Sequence, residues 1–405
     1  MAGLTLSSVP ARRVTAAAVA FLVFASALAY LYVSGSPRIA YPIFPFSSVS
    51  DIACEHVDGS VNVSGHNDAT ALTQEKHVIP NTVHYVWLLK NATEFRMPFK
   101  VFVSVYSAHL FWKPDKIYIH TDAKPEILRD AQVSGDVWTK RILSLPGITP
   151  NLIQAPNVTE KGIQVVHMEH KADFLRMAVL RDFGGVYLDT DAVPLRDIAP
   201  LRNSGFANVL GGATALSLKH AGYINNGVMM AVRQSTLMKI YYHAAQEFFD
   251  GRWATASVHV LTDLANRLLP LPSEVLLLQP QAFAPMSWEF QDQKRLFMPS
   301  LKSLIHQGPT VNAGPEEATC QDALAWLRQR EVARTDTHEL DFSSSYVLHA
   351  FDDSIDRIRG WDHVIDVKYV LARQSSYARA VFPAVWHAVQ AGIISERETE
   401  RGVLV

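Results

Sequence analysis

The chain has 405 residues, 48% hydrophobic and 19% charged, with a formal net charge of −2. That balance fits a globular protein with a sizeable core. No stripe rich in Lys and Arg appears, which argues against nucleic-acid binding through phosphate contacts.

Residues 14–33 are twenty uncharged positions preceded by Arg12 and Arg13. A run of that length spans a hydrocarbon core as one helix, and the flanking arginines favour a cytosolic N-terminus. The expected plan is a cytosolic tail over 1–13, a transmembrane signal-anchor over 14–33 and a lumenal remainder. The alternative is a cleaved signal peptide, with Ala25-Ser26-Ala27 or Ala27-Leu28-Ala29 as small-residue sites. Both readings deliver the rest of the chain to the secretory pathway. Glycosylation acceptors at Asn62, Asn91 and Asn157 agree with that address. The two cysteines, Cys54 and Cys320, follow the apolar run; they are either one disulfide formed in an oxidising lumen or two free buried thiols.

Residues 34–77 hold Pro37, Pro42 and Pro45 and then a polar run, and read as a stem. The folded domain is expected over 78–385, with a C-terminal tail over 386–405, its end solvated and charged. Residues 79–88 form a first apolar, aromatic strand ending at Trp87, either a core residue or a platform for a nucleobase. The segment 98–109 reads as a helix, and 116–120 alternates cleanly as a second strand. Strand–helix–strand order at this spacing argues a parallel α/β sheet. A weaker strand is expected over 162–166.

The stretch 167–194 carries the chemistry. It reads as a helix, a stop at Gly184-Gly185, a short buried strand, and an Asp189-Thr190-Asp191 loop closed by Pro194. Asp173 and Arg176, three apart, share a helix face, and Leu175, Ala178 and Val179 form its apolar side. Strand alternation sends Asp189 and Asp191 the same way, with Thr190 opposite. Such Asp-x-Asp pairs commonly only cap turns. Here, aimed by a buried strand and approached by a charged pair, they suit a hard divalent ion, Mn²⁺ or Mg²⁺, holding a phosphate-bearing ligand. His167 and His170 have i, i+3 spacing but read as exposed helix histidines instead of ligands.

Further strands are expected over 208–211 and 223–232. Asn225-Asn226-Gly227 is a polar bend that either caps a bulge or points amides into a site. Helices follow over 237–249, 258–269, 317–330 and 377–390. A short strand over 345–349 ends at His349, followed by Asp352 and Asp353.

Taken together, Ile79-Pro80 with His84-Tyr85-Val86-Trp87, Asp173-Phe174-Leu175-Arg176, Gly184-Gly185-Val186-Tyr187-Leu188-Asp189-Thr190-Asp191 and Asn226-Gly227-Val228 resemble the DXD-containing glycosyltransferases of family 32. That group includes fungal mannosyltransferases and animal α-1,4-galactosyltransferases, and the resemblance covers roughly 78–383. It implies a GT-A-like, Rossmann-type nucleotide-sugar-binding domain with a mixed sheet. It also implies a divalent metal, a nucleotide-sugar donor, a glycan or glycolipid acceptor and retention of configuration. Carried over by position, Asp189 and Asp191 contact metal, ribose and diphosphate, with His349 a further metal or diphosphate contact. Asp173 and Arg176 hold sugar and nucleotide, Val86 and Trp87 line the base pocket, Tyr187 and Thr190 belong to the donor site, and Asn226 sits near the reacting sugar. The implied setting is a single-pass type II membrane glycoprotein of the Golgi or another secretory compartment.

Other classes stay open on sequence alone. Asp189-Thr190-Asp191-Ala192-Val193 also resembles the haloacid-dehalogenase-like phosphatase motif, in which Asp189 would be a nucleophile, with Asp352 and Asp353 as a late acidic pair. A glycosidase using the two carboxylates is conceivable, but leaves the Asp173–Arg176 helix without a task. A lumenal sugar-binding protein without turnover is the non-enzymatic alternative.

Overall fold

The computed structural model describes residues 77–90, 93–214, 222–299 and 340–398. The tail, anchor and stem expected over 1–77, apart from His77, lie outside the described residues, as do both cysteines and the helix expected over 317–330. Among the described residues no helix is long and apolar enough to cross a membrane.

β1 (Thr82–Val86) is the strand from which the rest is laid out. It pairs in parallel with β2 (Lys116–Thr121), and β2 pairs in parallel with β3 (Ile148–Leu152). The chain then returns to the other side of β1, where β4 (Gly185–Leu188) also runs parallel to it. β6 (Asn208–Gly212), β7 (Ile224–Ala231) and β8 (Val275–Leu278) complete a seven-stranded sheet in the order β3-β2-β1-β4-β7-β6-β8. β7 is antiparallel to both β4 and β6, so the sheet is mixed. A separate two-stranded ribbon joins β5 (Ala192–Pro194) to β9 (Val347–His349).

Helices cover both faces. Alternation along β1 sends Tyr85 toward α1 (Phe99–Trp112), where its hydroxyl meets Ser104 Oγ at 3.2 Å. It sends His84 to the other face, against Phe183 of α4 (Met168–Phe183). Burial on both sides explains why β1 reads as a near-continuous apolar run. α2 (Pro125–Ser134) and α3 (Val137–Ser144) join β2 to β3. α3 brings Trp138 onto Phe99 and Phe102, with ring centroids 4.7 and 5.3 Å away. α5 (Ala199–Arg202) is a single turn; α6 (Thr236–Phe248) packs on α4 and on α7 (Val260–Leu268). α8 (Phe290–Phe297), α9 (Val367–Ala372) and α10 (Ser376–Gln390) close the C-terminal side.

Three expectations need correction. Residues 162–166 are a loop, closed by Gly162 at φ +80° and by Val165 N–H donating to the Asn157 carbonyl at 2.9 Å. The third parallel strand is β3, whose Pro150 hides it in the sequence and is tolerated because β3 is an edge strand. The charged C-terminal end is not simply solvated: Glu398 is buried in a bidentate pair with Arg141, while the helix expected over 377–390 is present as α10. His170 is 3% exposed, not a surface histidine.

Candidate active site

The topology decides where a site can form. The chain winds outward through β1, β2 and β3 and then reverses across β1 to β4. Parallel strands that part this way leave a crevice at their carboxyl ends, the usual ligand position in open α/β sheets. Val86 ends β1 and Trp87 follows it, while Asp189, Thr190 and Asp191 follow β4. The register pairs His84 with Tyr187, so its continuation brings Val86 opposite Asp189.

Two positive-φ glycines make the turn into β4. Gly184 (φ +70°) caps α4, with its N–H bonded to the Leu180 carbonyl, and Gly185 (φ +99°) opens the strand. A Cβ would meet Arg233 N at 2.5 Å on the first and the Thr82 carbonyl oxygen at 2.4 Å on the second. Strain and close approach both demand glycine here.

The Asp-Thr-Asp loop is then fixed from three directions. The Asp189 N–H donates to the Gly227 carbonyl at 2.8 Å, and Tyr187 Oη–H donates to Asp189 Oδ1 at 2.6 Å. Arg176, reaching over from α4, pairs with Asp189 at 3.0 Å and with Asp173 at 3.3 Å. It also donates to the Asn226 carbonyl at 2.9 Å while its guanidinium lies 4.7 Å from the Tyr187 ring centre. Asn226 Nδ2 closes the circuit on Asp173 Oδ1 at 2.9 Å. Burial raises the Asp173 carboxyl to about 6, with Arg176 opposing and Asp189 assisting the rise.

The β5–β9 ribbon delivers the third ligand. Ala192 pairs with His349, and the Ala350 N–H donates to the Asp191 carbonyl at 3.0 Å. His349 Nε2 therefore stands 3.2 Å from Asp191 Oδ1 and 3.8 Å from Asp189 Oδ2. Asp189, Asp191 and His349 each offer a ligand atom, all within 4.8 Å of one another. The other ring nitrogen, Nδ1, lies 3.0 Å from Asn225 Oδ1. An amide oxygen only accepts, so Nδ1 carries a proton and Nε2 is the atom turned to the carboxylates. Burial alone would lower the His349 pKa, but Asp191 and Asp189 raise it above its ordinary value. The proton held there is the one that a divalent cation would replace. Two carboxylates and an imidazole oriented by an amide suit Mn²⁺ or Mg²⁺. Gly227 leaves the room: a Cβ there would sit 2.3 Å from His349 Cε1 and 2.6 Å from Asp189 Oδ2.

Asp173, Arg176, Tyr187, Asp189, Asp191, Asn226 and His349, all singled out from sequence, thus converge in one network. Thr190 is half-buried beside it. Val86 and Trp87 share the same sheet edge but stand outside the hydrogen-bonded cluster. Asn225 was missed as a site residue. Its signal was the alternation of β7, which sends Asn225 and Gly227 toward His349 and Asn226 toward α4. Asp189 makes a poor phosphatase nucleophile, because both its oxygens are engaged by Tyr187 and Arg176. It also follows the fourth strand, whereas the phosphatase motif is expected on the first; the side chains of Asp352 and Asp353 lie outside the described residues.

Fold and cradle together define a GT-A-type α/β domain with a place for a divalent cation at the strand ends. Residues 113–209 match the profile of the glycosyltransferase sugar-binding region containing a DXD motif. Glucan organizing enzyme 1 of Cryptococcus neoformans var. grubii is 28% identical over 226 residues, 54% of this chain and 57% of that protein. Lactosylceramide 4-alpha-galactosyltransferase of Pongo pygmaeus is 30% identical over 185 residues, 40% of this chain and 78% of that protein. The human enzyme of that name is 29% identical over the same length, which is 48% of it. The chain belongs to the DXD-containing glycosyltransferase family 32. It spans about half the length of the first curated relatives it matches. Among solved structures, the galactosyltransferase LgtC with donor and acceptor sugar analogs is 14% identical at a TM-score of 0.32, covering 50% of this chain and 76% of that one.

Proposed function

We propose that this chain is a metal-dependent glycosyltransferase that moves a hexose, mannose or galactose, from a nucleotide-sugar donor to a glycan or glycolipid acceptor with retention of configuration. The observation that carries the reading is the Asp189–Asp191–His349 cradle at the strand-order reversal. In this reading those three residues hold Mn²⁺ or Mg²⁺, and Asn225 keeps His349 in the ligating tautomer. The bound cation supplies neutralisation of the diphosphate charge that grows as the donor breaks. Arg176 and Tyr187 spend their hydrogen bonds on Asp189 and so fix its orientation before substrate arrives. Asp173 and Asn226, tied to each other, face the transferred sugar, with Thr190 beside them, and Val86 and Trp87 border the base. No covalent nucleophile is assigned; the acceptor hydroxyl attacks from the face that the leaving phosphate occupies, and that phosphate takes its proton.

The relatives' names, a lactosylceramide galactosyltransferase and a glucan organizing enzyme, support a hexose donor and a glycan or glycolipid acceptor. The reading places residues 14–33 as a signal-anchor in a Golgi or other secretory membrane, with the folded domain lumenal. Asn157, exposed in a loop, would be open to glycosylation there. The test is release of nucleoside diphosphate from a donor panel including UDP-galactose and GDP-mannose, with and without Mn²⁺. Asp191→Ala is expected to abolish metal-dependent turnover and leave the thermal transition in place; undiminished turnover in that variant would refute the assignment.

A further inference from the structure

A row of aromatic rings runs from the cradle to the surface. Phe351 stacks on His349 with ring centroids 3.9 Å apart and planes within 24° of each other. Trp288 meets Phe351 edge-on at 6.5 Å and is 38% exposed. A lone exposed tryptophan needs no explanation. This one ends a stack that begins on a cradle residue, and its backbone is held on both sides. Ser287 donates from its N–H and from Oγ to Asp292 Oδ2, at 3.1 and 2.8 Å. Gln293 Nε2 donates to the Ser287 carbonyl at 2.7 Å, and the Glu289 N–H donates to Ser287 Oγ at 3.3 Å. Asp292 and Gln293 are both buried in the first turn of α8, so the loop is fixed from inside. The same connection is tied to β9, where the His349 N–H donates to the Phe283 carbonyl at 3.0 Å. Phe351 itself sits at φ +51°, a left-handed conformation that a bulky side chain adopts only where its surroundings impose it. Such outliers cluster where a side chain must be aimed.

The chemistry of these rings selects their ligand. An indole face offers no charge to a phosphate, and a diphosphate belongs to the cradle itself. In the proposed donor site the nucleobase lies beside Val86 and Trp87, at the end of β1. Alternation along β7 turns Asn226 toward α4 and away from His349. The sugar beside Asn226 is the donor's, so the rings beyond His349 meet a second sugar across the cradle. A partly open indole suits the C–H face of a neutral pyranose, which stacks on an aromatic while its hydroxyls stay with water or polar groups. We infer that Trp288, backed by Phe351, is the platform for a neutral hexopyranoside of the acceptor.

The platform rests on the glycosyltransferase reading for its place in the reaction, but its binding is measurable separately. The probes are methyl β-galactoside, methyl β-glucoside and methyl α-mannoside, followed by saturation-transfer NMR on the full chain. UDP and GDP with Mn²⁺ are titrated in parallel. Trp288→Ala is expected to weaken binding of at least one glycoside by about tenfold, and Trp288→Phe to keep most of it, with nucleotide binding unchanged in both. Phe290, 42% exposed in the same segment, is the control, and Phe290→Ala should leave glycoside binding as it is. Equal losses in Trp288→Ala and Phe290→Ala would reduce the effect to general apolar contact and overturn the proposal. No Trp288-dependent binding of any of the three glycosides overturns it as well. A loss of nucleotide affinity in Trp288→Ala as large as the loss of glycoside affinity would make the ring a base platform, again against the proposal. Glycoside binding that depends on Trp288 in a wild-type chain unable to bind either nucleotide with Mn²⁺ upholds the platform and sinks the donor reading instead.

Discussion

Gly227→Ala tests the cradle with a single methyl group. Gly227 is not among the residues with positive φ, so its backbone accepts any side chain. Away from a site, Gly→Ala in a strand should stabilise by roughly 0.5–1 kcal/mol. At this position the new Cβ would lie 2.3 Å from His349 Cε1, 2.7 Å from His349 Nδ1 and 2.6 Å from Asp189 Oδ2. Ordinary contact begins near 3.4 Å, so the imidazole or the carboxylate must retreat by about 1 Å, a displacement that can cost about 100-fold in rate. His349 cannot yield freely, because β9 is pinned to β5 and its ring stacks on Phe351 at 3.9 Å. The expected outcome is Mn²⁺ affinity lower by about 10–100-fold and a stability loss of about 1–3 kcal/mol from overpacking. Free Mn²⁺ read by electron paramagnetic resonance gives the affinity, and thermal unfolding gives the stability. In a His349→Ala background the same substitution should add little, since its main obstacle is gone. Wild-type Mn²⁺ affinity in Gly227→Ala would show that Gly227 does not shape a metal site.

Asn225→Ala removes the acceptor that keeps the proton on His349 Nδ1 and should lower Mn²⁺ affinity by about 10–100-fold. Asn225→Asp keeps an acceptor there and should retain most of the affinity; equal losses in both variants would count against an orienting role. A second test concerns acid. His84 Nε2 lies 2.8 Å from the Gly184 carbonyl oxygen, which requires a donor, so His84 Nδ1 accepts from His120 Nε2 at 2.9 Å. His120 Nδ1 in turn accepts from Asn151 Nδ2 at 2.8 Å. This directional chain needs both rings neutral, and burial holds His84 at about 4 and His120 at about 3 against an ordinary 6.5. With folded pKa values depressed, the unfolded chain binds more protons as pH falls below 6.5. Stability is therefore whole above 6.5 and is lost as pH drops toward 4 and then 3. Between pH 6.5 and 5 the loss is about 2 kcal/mol per ring, measurable by urea unfolding. His84→Gln should flatten that slope; an unchanged slope would remove this pair as its source.

The chain's local patterns determine much of this architecture. Alternation in 116–120, the apolar spacing around Leu175 and the Gly184-Gly185 stop each specify an element from residues close in sequence, and the structure has them. The same holds for Asp173 and Arg176 on one helix turn and for Asp189 and Asp191 on one side of a loop, because helical and strand periods act locally. Strands β3 and β8 and the β5 ribbon are short, edge-placed or interrupted by proline, and their pairing comes from neighbours distant in the chain. His349 becomes part of the cradle only because β9 lies antiparallel on β5, and Asn225 matters only because β7 brings it under that ring. The burial of His170 likewise depends on Phe249 and Trp253 arriving from another connection. Periodicity aims a side chain along its own element. Which groups meet across elements, and hence whether two aspartates become a metal cradle or a capped turn, is decided by long-range packing.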